Sequence, residues 1–556
     1  MTATTETTTG RGVLLRVEGL TVAYPGRRGE DGTLAVDGLS CTVPEGGSVA
    51  IVGESGSGKS TTLHALLGLT PRTARTGFGR LEFRGEDGEL RPVGDPRELR
   101  GRSVGLVPQD PVRSLDPLMR IGAQFAELHR HFLGLTDREE SRARTLLALE
   151  SVGVDRPALR VRQYPHELSG GQRQRILIAL ALVAGPRLLL ADEPTSNLDT
   201  TVQRRVLDLF DEVRAARGLS LLLVTHDIAV AGRRADHLVV MRAGRVVESG
   251  PTPEVLGSPR DPYTRQLLTS LPSGLPARPA SPVGEAPRVV LEARGLSRSF
   301  AGGRGRERVD AVQDVSLRLR RGRTLAVVGE SGAGKSTLLR LLTGLERADR
   351  GEVFLEGARV RPGRGARTDF ARRVQLVYQN PARSLNPSLS IGRVVAEPLE
   401  AHRIGGARAR AARARELLEQ VELPAAYAER RPHQLSGGQL QRVAIARALA
   451  LAPDVVVLDE PVSALDQAVR FALLRLLGEI QERSGVAYLL VSHDLGVVRA
   501  VADDVLVLHR GRVEERGPTA SVFSSPTSPW TRALLDAVPE LPLSSPVSTH
   551  DRKTSR

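Results

Sequence analysis

The sequence predicts an α/β fold built twice in one chain, and three observations predict it. A strand–glycine loop–helix pattern occurs at Gly53-Glu54-Ser55-Gly56-Ser57-Gly58-Lys59-Ser60 and again at Gly329-Glu330-Ser331-Gly332-Ala333-Gly334-Lys335-Ser336. The same series of short motifs follows each loop in the same order. A proline-rich tract lies between the two series.

Each loop reads G-x-x-x-x-G-K-S. Each follows an apolar run, Ser48–Val52 or Leu325–Val328, that reads as a buried strand. Each precedes a helical pattern, Thr61–Leu69 or Thr337–Leu345. Gly53, Gly56 and Gly58, like Gly329, Gly332 and Gly334, let consecutive backbone N–H groups turn towards a phosphate. Ser55 and Ser331 lie inside that cradle, and Thr61 and Thr337 open the helix whose N-terminus adds positive charge. Lys59 and Lys335 reach the outer phosphates, and Ser60 and Ser336 suit Mg²⁺. Both halves are therefore expected to be phosphate-loop NTPase domains.

Taken in order, residues 1–11 read as a disordered tail. Leu14–Tyr24 partly alternates and reads as a strand, as does its counterpart Val289–Phe300. Ala35-Val36-Asp37-Gly38-Leu39-Ser40 and Ala311-Val312-Gln313-Asp314-Val315-Ser316 then lead to the loops. Between Gln109 and Ser169, and between Gln379 and Ser436, the pattern turns helical and arginine-rich, as in Arg403–Val421. A helical subdomain inserted into each α/β core is expected there, its arginines on a solvated face. Ser169-Gly170-Gly171-Gln172 answers Ser436-Gly437-Gly438-Gln439, Asp192-Glu193-Pro194 answers Asp459-Glu460-Pro461, and His226-Asp227 answers His493-Asp494. Each of these pairs is 267 residues apart, and the loop lysines are 276 apart. Both halves close alike, with Pro262-Tyr263-Thr264-Arg265 and Pro529-Trp530-Thr531-Arg532. The expected domains are 12–272 and 288–540, joined by an extended, semi-stiff proline-rich linker over 273–287 and followed by a disordered tail over 541–556.

Composition narrows the class. A chain of 556 residues exceeds one core. Hydrophobic residues at 40% and charged residues at 26% describe a globular, soluble protein. Cys41 is the only cysteine. That excludes an internal disulfide framework and, within the chain, a cysteine-ligated zinc or iron–sulfur site. Cys41 itself reads as a small buried hydrophobe. The most apolar run, Ile176–Ala184, falls short of the roughly 20 residues a membrane helix needs. The threonine-rich start, Met1–Gly10, lacks a signal peptide's apolar core. Net charge is +14, but the arginines are spread throughout and aromatics are only 3%, so nucleic acid is not the expected partner.

Asp192 and Asp459 end apolar runs, and an aspartate there, beside a phosphate loop, suits Mg²⁺ through its water shell. Glu193 and Glu460 come next, placed to polarise the water that attacks a terminal phosphate. His226 and His493 follow the next apolar run, each 33 residues after its glutamate, and are expected to contact the terminal phosphate. Gln109 and Gln379 follow a strand each, with an amide suited to Mg²⁺ and the attacking water.

With these residues in place, the sequence resembles the ATP-binding cassette ATPases, the nucleotide-binding subunits of ABC transporters, over about residues 12–540. Leu168-Ser169-Gly170-Gly171-Gln172 and Leu435-Ser436-Gly437-Gly438-Gln439 match that family's signature. The resemblance implies a phosphate-loop core with an antiparallel β subdomain and an inserted helical subdomain in each half. It implies an intramolecular head-to-tail dimer in which each ATP, with Mg²⁺, lies between one half's phosphate loop and the other's signature. One site would use Lys59, Ser60, Gln109, Asp192, Glu193 and His226, with Ser436, Gly437, Gly438 and Gln439 in trans. The other would use Lys335, Ser336, Gln379, Asp459, Glu460 and His493, with Ser169, Gly170, Gly171 and Gln172. Asp199 and Asp466 resemble the loop that couples the sites, and Tyr24 and Phe300 stand where the family stacks an aromatic on adenine. Both halves keep glutamate and histidine, so two hydrolytic sites are expected.

Gly-Glu-Ser-Gly in both loops, Gln109-Asp110-Pro111 and Gln379-Asn380-Pro381, and the Pro-Tyr/Trp-Thr-Arg tails look like the dipeptide, oligopeptide and nickel importer ATPases. Some members carry a cysteine cluster near the tail, which this chain lacks. That resemblance implies an ATPase at the cytoplasmic face of the membrane, working with two integral permease subunits and an extracytoplasmic binding protein. The expected cargo is a di- or oligopeptide, with nickel or a metallophore, glutathione or an antibiotic as alternatives. A soluble ABC ATPase acting on ribosomes or DNA is the remote one.

Overall fold

The computed structural model describes residues 12–26, 32–196, 198–269, 287–301, 308–360, 364–463 and 465–538. Residues 1–11, nearly all of the expected linker and the expected tail lie outside them. Contacts divide the chain into two units, one holding described residues 12–198 and 202–269, the other Asp199–Thr201 and 287–538.

The first unit contains β1 (Val13–Tyr24), β2 (Thr33–Pro44), β3 (Ser48–Val52), β4 (Arg75–Gly77), β5 (Arg80–Arg84), β6 (Leu90–Pro92), β7 (Val104–Val107), β8 (Leu188–Asp192), β9 (Ser220–Thr225), β10 (His237–Arg242) and β11 (Arg245–Pro251). An antiparallel sheet runs β2-β1-β5-β6, with β4 paired to β1. The core sheet runs β11-β10-β3-β9-β8-β7, parallel throughout except for β11. β3, β8 and β9 are buried along their whole length. Parallel strands covered on both faces need continuous apolar runs, and these three have them. Val49 and Ile51 share one core cluster with Leu63 and Leu66 of the helix Lys59–Leu66 and with Leu20 and Val22 of β1. Helix and antiparallel sheet thus cover the same side of the core sheet. Cys41 is buried in β2, as expected, and burial pushes its thiol up to about 12.

The second unit contains β12 (Val289–Phe300), β13 (Val309–Arg320), β14 (Thr324–Val328), β15 (Arg350–Leu355), β16 (Ala358–Arg359), β17 (Val374–Val377), β18 (Val455–Asp459), β19 (Ala487–Val491), β20 (Asp504–His509) and β21 (Arg512–Pro518). Its sheets run β13-β12-β15-β16 and β17-β18-β19-β14-β20-β21. β16 answers β6, while β4 has no separate counterpart among the described residues of the second half. The second half instead has a helix at Arg364–Arg373, where the first has only a short turn of helix at Pro96–Leu99.

The inserted helices lie between β7 and β8, and between β17 and β18. In Arg138–Ser151, Ser141, Thr145 and Leu149 form a buried stripe four residues apart, leaving Arg142 and Arg144 exposed. The phosphate-loop helices differ from expectation at both ends, spanning Lys59–Leu66 and Lys335–Leu342. They start at the loop glycines Gly58 and Gly334. They stop just before Gly68 and Gly344, whose left-handed backbones (φ 57° and 70°) end a helix readily. Among the described residues no helix is long and apolar enough to cross a membrane.

Candidate functional site

In both units the phosphate loop is closed around its own lysine. Lys59 is buried and its Nζ donates to the carbonyls of Gly53 and Glu54, both at 2.8 Å. Lys335 does the same to Gly329 (2.7 Å) and Glu330 (2.8 Å). Each ammonium is thus held by two carbonyls of its own loop. Gly58 and Gly334 precede the helix with φ of 97° and 103°. A Cβ there would lie 2.3 Å from the Ala35 oxygen or 2.1 Å from the Ala311 oxygen, so only glycine fits. At Gly56 and Gly332 a Cβ would meet nothing within 4 Å, so the loop is open on that side.

The acidic residues come together as the motif order predicts. Asp192 ends β8 and Glu193 follows it; His226 follows β9, the adjacent parallel strand. The C-terminal ends of neighbouring parallel strands therefore deliver both side chains to one place. Gln109 Nε2 donates to Glu193 Oε2 at 2.9 Å, and His226 Nδ1 lies 3.3 Å from the same oxygen. In the second unit Gln379 Nε2 donates to Glu460 Oε2 at 2.7 Å, and His493 Nδ1 lies 3.2 Å from Glu460 Oε1. Both glutamates have a left-handed backbone, with φ of 41° and 46°. Such a conformation costs about 1–3 kcal/mol outside glycine and concentrates at working sites. It is held in place on both sides. The glutamate N–H groups donate to the Val224 and Val491 carbonyls at 2.9 Å. Ser196 and Ser463 hydroxyls donate to the glutamate carbonyls at 2.5 and 3.1 Å. The two serines open the four-residue stretches that end at Asp199 and Asp466, but that resemblance does not assign them this contact; their signal is a shared place three residues after the glutamate.

Burial would raise the Glu193 carboxyl, but the His226 hydrogen bond and charge, with Lys59, hold it below its ordinary value. Glu460 is held low in the same way by His493, Lys335 and Gln379. Burial opposes the charge on His493, yet the Glu460 bond raises the imidazole above its ordinary value. Asp192 is raised by burial, partly offset by the Ser60 hydroxyl, which donates to it at 2.8 Å. Asp459 is raised to about 6, by burial and then by the charge of Glu460.

The signature residues sit elsewhere in their own unit. Ser169 and Ser436 cap the helices Gly170–Ala181 and Gly437–Leu449, each accepting from the backbone of Gln172 or Gln439, whose side chain accepts in return. This is a capping box, so each serine hydroxyl has a structural partner. A Cβ on Gly171 or Gly438 would come within 2.6 or 2.5 Å of a Val202 or Val469 methyl, whereas Gly437 faces open space. Among the described residues, neither serine bonds the phosphate loop of its own half. Asp466 caps the helix Gln467–Ser484, and Asp199 precedes the helix Thr200–Arg217. Tyr24 ends β1, half-buried. Phe300 ends β12, exposed, with the Arg298 guanidinium 4.9 Å from its ring centre.

Comparison with known proteins matches the ABC transporter family over residues 36–196 and 312–463. The oligopeptide/dipeptide transporter C-terminal region matches 247–293 and 514–553. The chain is 41% identical to a peptidoglycan transport ATP-binding protein of Agrobacterium fabrum, over 94% of this chain and 96% of that one. It is 37% identical to a glutathione import ATP-binding protein of Salmonella typhimurium, over 95% and 89%. It is also 37% identical to an oligopeptide transport ATP-binding protein of Mycobacterium tuberculosis, over 95% and 98%.

Proposed function

Since this chain belongs to the ABC transporter family, we propose that it is the doubled ATP-hydrolysing subunit of an importer whose cargo is a di- or oligopeptide. The observation that carries the hydrolytic part is the Gln–Glu–His cluster, present in both units with the same strained glutamate backbone. The peptide part rests on the two matched C-terminal regions and on the Mycobacterium relative, which is named for oligopeptide transport. Glutathione, itself a short peptide, is the second reading, favoured by the Salmonella relative.

Lys59 and Lys335, now bound to loop carbonyls, release them to meet the terminal phosphates. Glu193 and Glu460, ionised at neutral pH, accept the proton of the attacking water. His226 and His493 hold those carboxylates and face the terminal phosphate. Ser60 with Asp192 and Gln109, and Ser336 with Asp459 and Gln379, are hard oxygen donors of the kind Mg²⁺ takes, and the hydroxyl–carboxylate contact of Ser60 fits them to it. When bound, that ion neutralises charge building on the phosphoryl oxygens. Ser436, Gly437, Gly438 and Gln439 complete the first site in trans, and Ser169, Gly170, Gly171 and Gln172 the second. Domains 12–272 and 288–540 act as the two cassettes. Membrane permeases and an extracytoplasmic binding protein are the partners, and the working place is the cytoplasmic face of the membrane.

The test is ATPase activity of the assembled transporter with Glu193→Gln and Glu460→Gln made singly. Loss of a general base costs about 10²–10⁴-fold, and each change alone is expected to impair turnover on that scale. Full activity in either variant would sink the two-site reading. Cargo is read separately, as peptide-stimulated turnover set against glutathione-stimulated turnover.

A further inference from the structure

We infer that Tyr263, on the helix Pro262–Thr269 within the C-terminal region of the first half, is a positioning residue for the first phosphate loop, and that the second half lacks this brace. The inference rests on the ATP-binding reading above. The Glu54 N–H donates to the Tyr263 hydroxyl at 2.9 Å. The Gly53 carbonyl, at the other end of the same peptide group, accepts from Lys59 Nζ at 2.8 Å. One peptide unit, where β3 passes into the loop, is therefore pinned from both sides. A peptide group held at both ends cannot rotate, so the N–H groups beyond it keep their aim while empty.

The tyrosine is itself well placed. It is 4% exposed, and the Arg242 guanidinium lies 5.0 Å from its ring centre. Its own N–H donates to Asp261 Oδ1 at 2.7 Å. Glu248 on β11 accepts the N–H groups of Arg260 and Asp261, at 2.8 and 3.1 Å. A chain of hydrogen bonds thus runs from the sheet edge through the tail helix to the loop.

The second half keeps the outer part of this chain and changes its end. Glu515 accepts the N–H groups of Thr527 and Ser528, and Ser528 caps Trp530. Trp530 stands where Tyr263 would, its ring 3.9 Å from that of His509, which replaces Arg242. An indole N–H only donates. Trp530 therefore cannot accept the Glu330 N–H, and among the described residues its Nε1 has no partner. The peptide between Gly329 and Glu330 is gripped at its carbonyl by Lys335 but not by a tail hydroxyl at its N–H.

The experiment uses the full chain with one site silenced at a time. Lys335→Ala leaves the first site to be titrated with Mg·ATP, and Lys59→Ala leaves the second. Adding Tyr263→Phe to the Lys335→Ala chain is expected to weaken Mg·ATP binding about fivefold, the loss of one modest hydrogen bond. In the Lys59→Ala chain the same change leaves affinity unaltered. The melting temperature without nucleotide falls modestly, since the bond is already made in the empty loop, and the shift caused by ATP shrinks as well, which a merely structural role would not produce. In the assembled transporter, KM for ATP rises with kcat retained. Trp530→Phe, which removes no loop contact, leaves both sites unchanged. Equal weakening of both sites, or none, overturns the inference. A Lys335→Ala chain that binds no ATP at all overturns instead the reading of the first site.

Discussion

The two halves agree most closely where a phosphate would be met and least where that place is supported. Lysine to loop carbonyl is 2.8 Å in the first and 2.7 Å in the second; glutamine to glutamate is 2.9 and 2.7 Å; histidine to glutamate is 3.3 and 3.2 Å. Around this common centre, Ser60 bonds Asp192, whereas Asp459 is raised to about 6 beside Glu460, and tyrosine is exchanged for tryptophan behind the loop. Groups that touch one ligand must share one geometry. Groups that hold them need only give the same result, and two solutions coexist in one chain.

The largest expected effect lies where the halves are alike. Gly58→Ala and Gly334→Ala each add a Cβ against a backbone oxygen at a left-handed position. Backbone strain and overpacking together should cost about 3 kcal/mol or more in either half. Thermal unfolding followed in each variant measures it. A large loss in one half and none in the other would break the equivalence of the loops.

Much of this common centre is legible in the sequence. Ser48–Val52 and the run Arg187–Ala191 read as buried strands because parallel strands carry no polar face, and the strands found there, Ser48–Val52 and Leu188–Asp192, are buried throughout. The glutamate and histidine meet as their shared spacing requires, since each follows one of two neighbouring strands. Other features have no local trace. Ser169 reads as a phosphate contact by motif, yet S-x-x-Q is also a capping box, and in this state the cap holds the hydroxyl. The left-handed glutamates depend on carbonyls and hydroxyls that only the fold assembles. The Tyr263 contact joins residues 209 apart in sequence, across two elements whose meeting no periodicity encodes.

A mid-sized effect sharpens the comparison of the histidines. Glu460 is held below 4.5 and His493 above 6.5. The imidazole's contribution is complete below 6.5 and is lost as pH rises through its raised folded value. The carboxylate's is present above 4.5 and is lost as pH falls through its lowered one. The pair is therefore fully effective between those two ordinary values. His493→Ala should lower stability there by about 1.5–3 kcal/mol, the worth of a hydrogen bond to a charged group. The deficit should shrink as pH rises further. A deficit that grows towards alkaline pH would refute the pairing, and running His226→Ala through the same scan tests whether both histidines are held alike.

The smallest effect concerns the tails. Glu515 accepts from Thr527 N–H at 2.8 Å, the Thr527 hydroxyl at 2.9 Å and Ser528 N–H at 3.1 Å. Burial pushes its carboxyl up, but these bonds more than reverse it and hold it at about 2. A depressed carboxylate stabilises above its ordinary value of 4.5 and loses that contribution as pH falls from there towards about 2. Glu515→Gln imitates the protonated form at every pH. Amide exchange in the helix Pro529–Asp536 should therefore be faster in the variant than in the wild type near neutral pH, and the two should converge as pH falls through that window. The helix Pro262–Thr269, held by Glu248 in the other half, should not respond. Faster exchange in both helices would mean that the two tails are not independently anchored, and the contrast between Tyr263 and Trp530 would then lose its local basis.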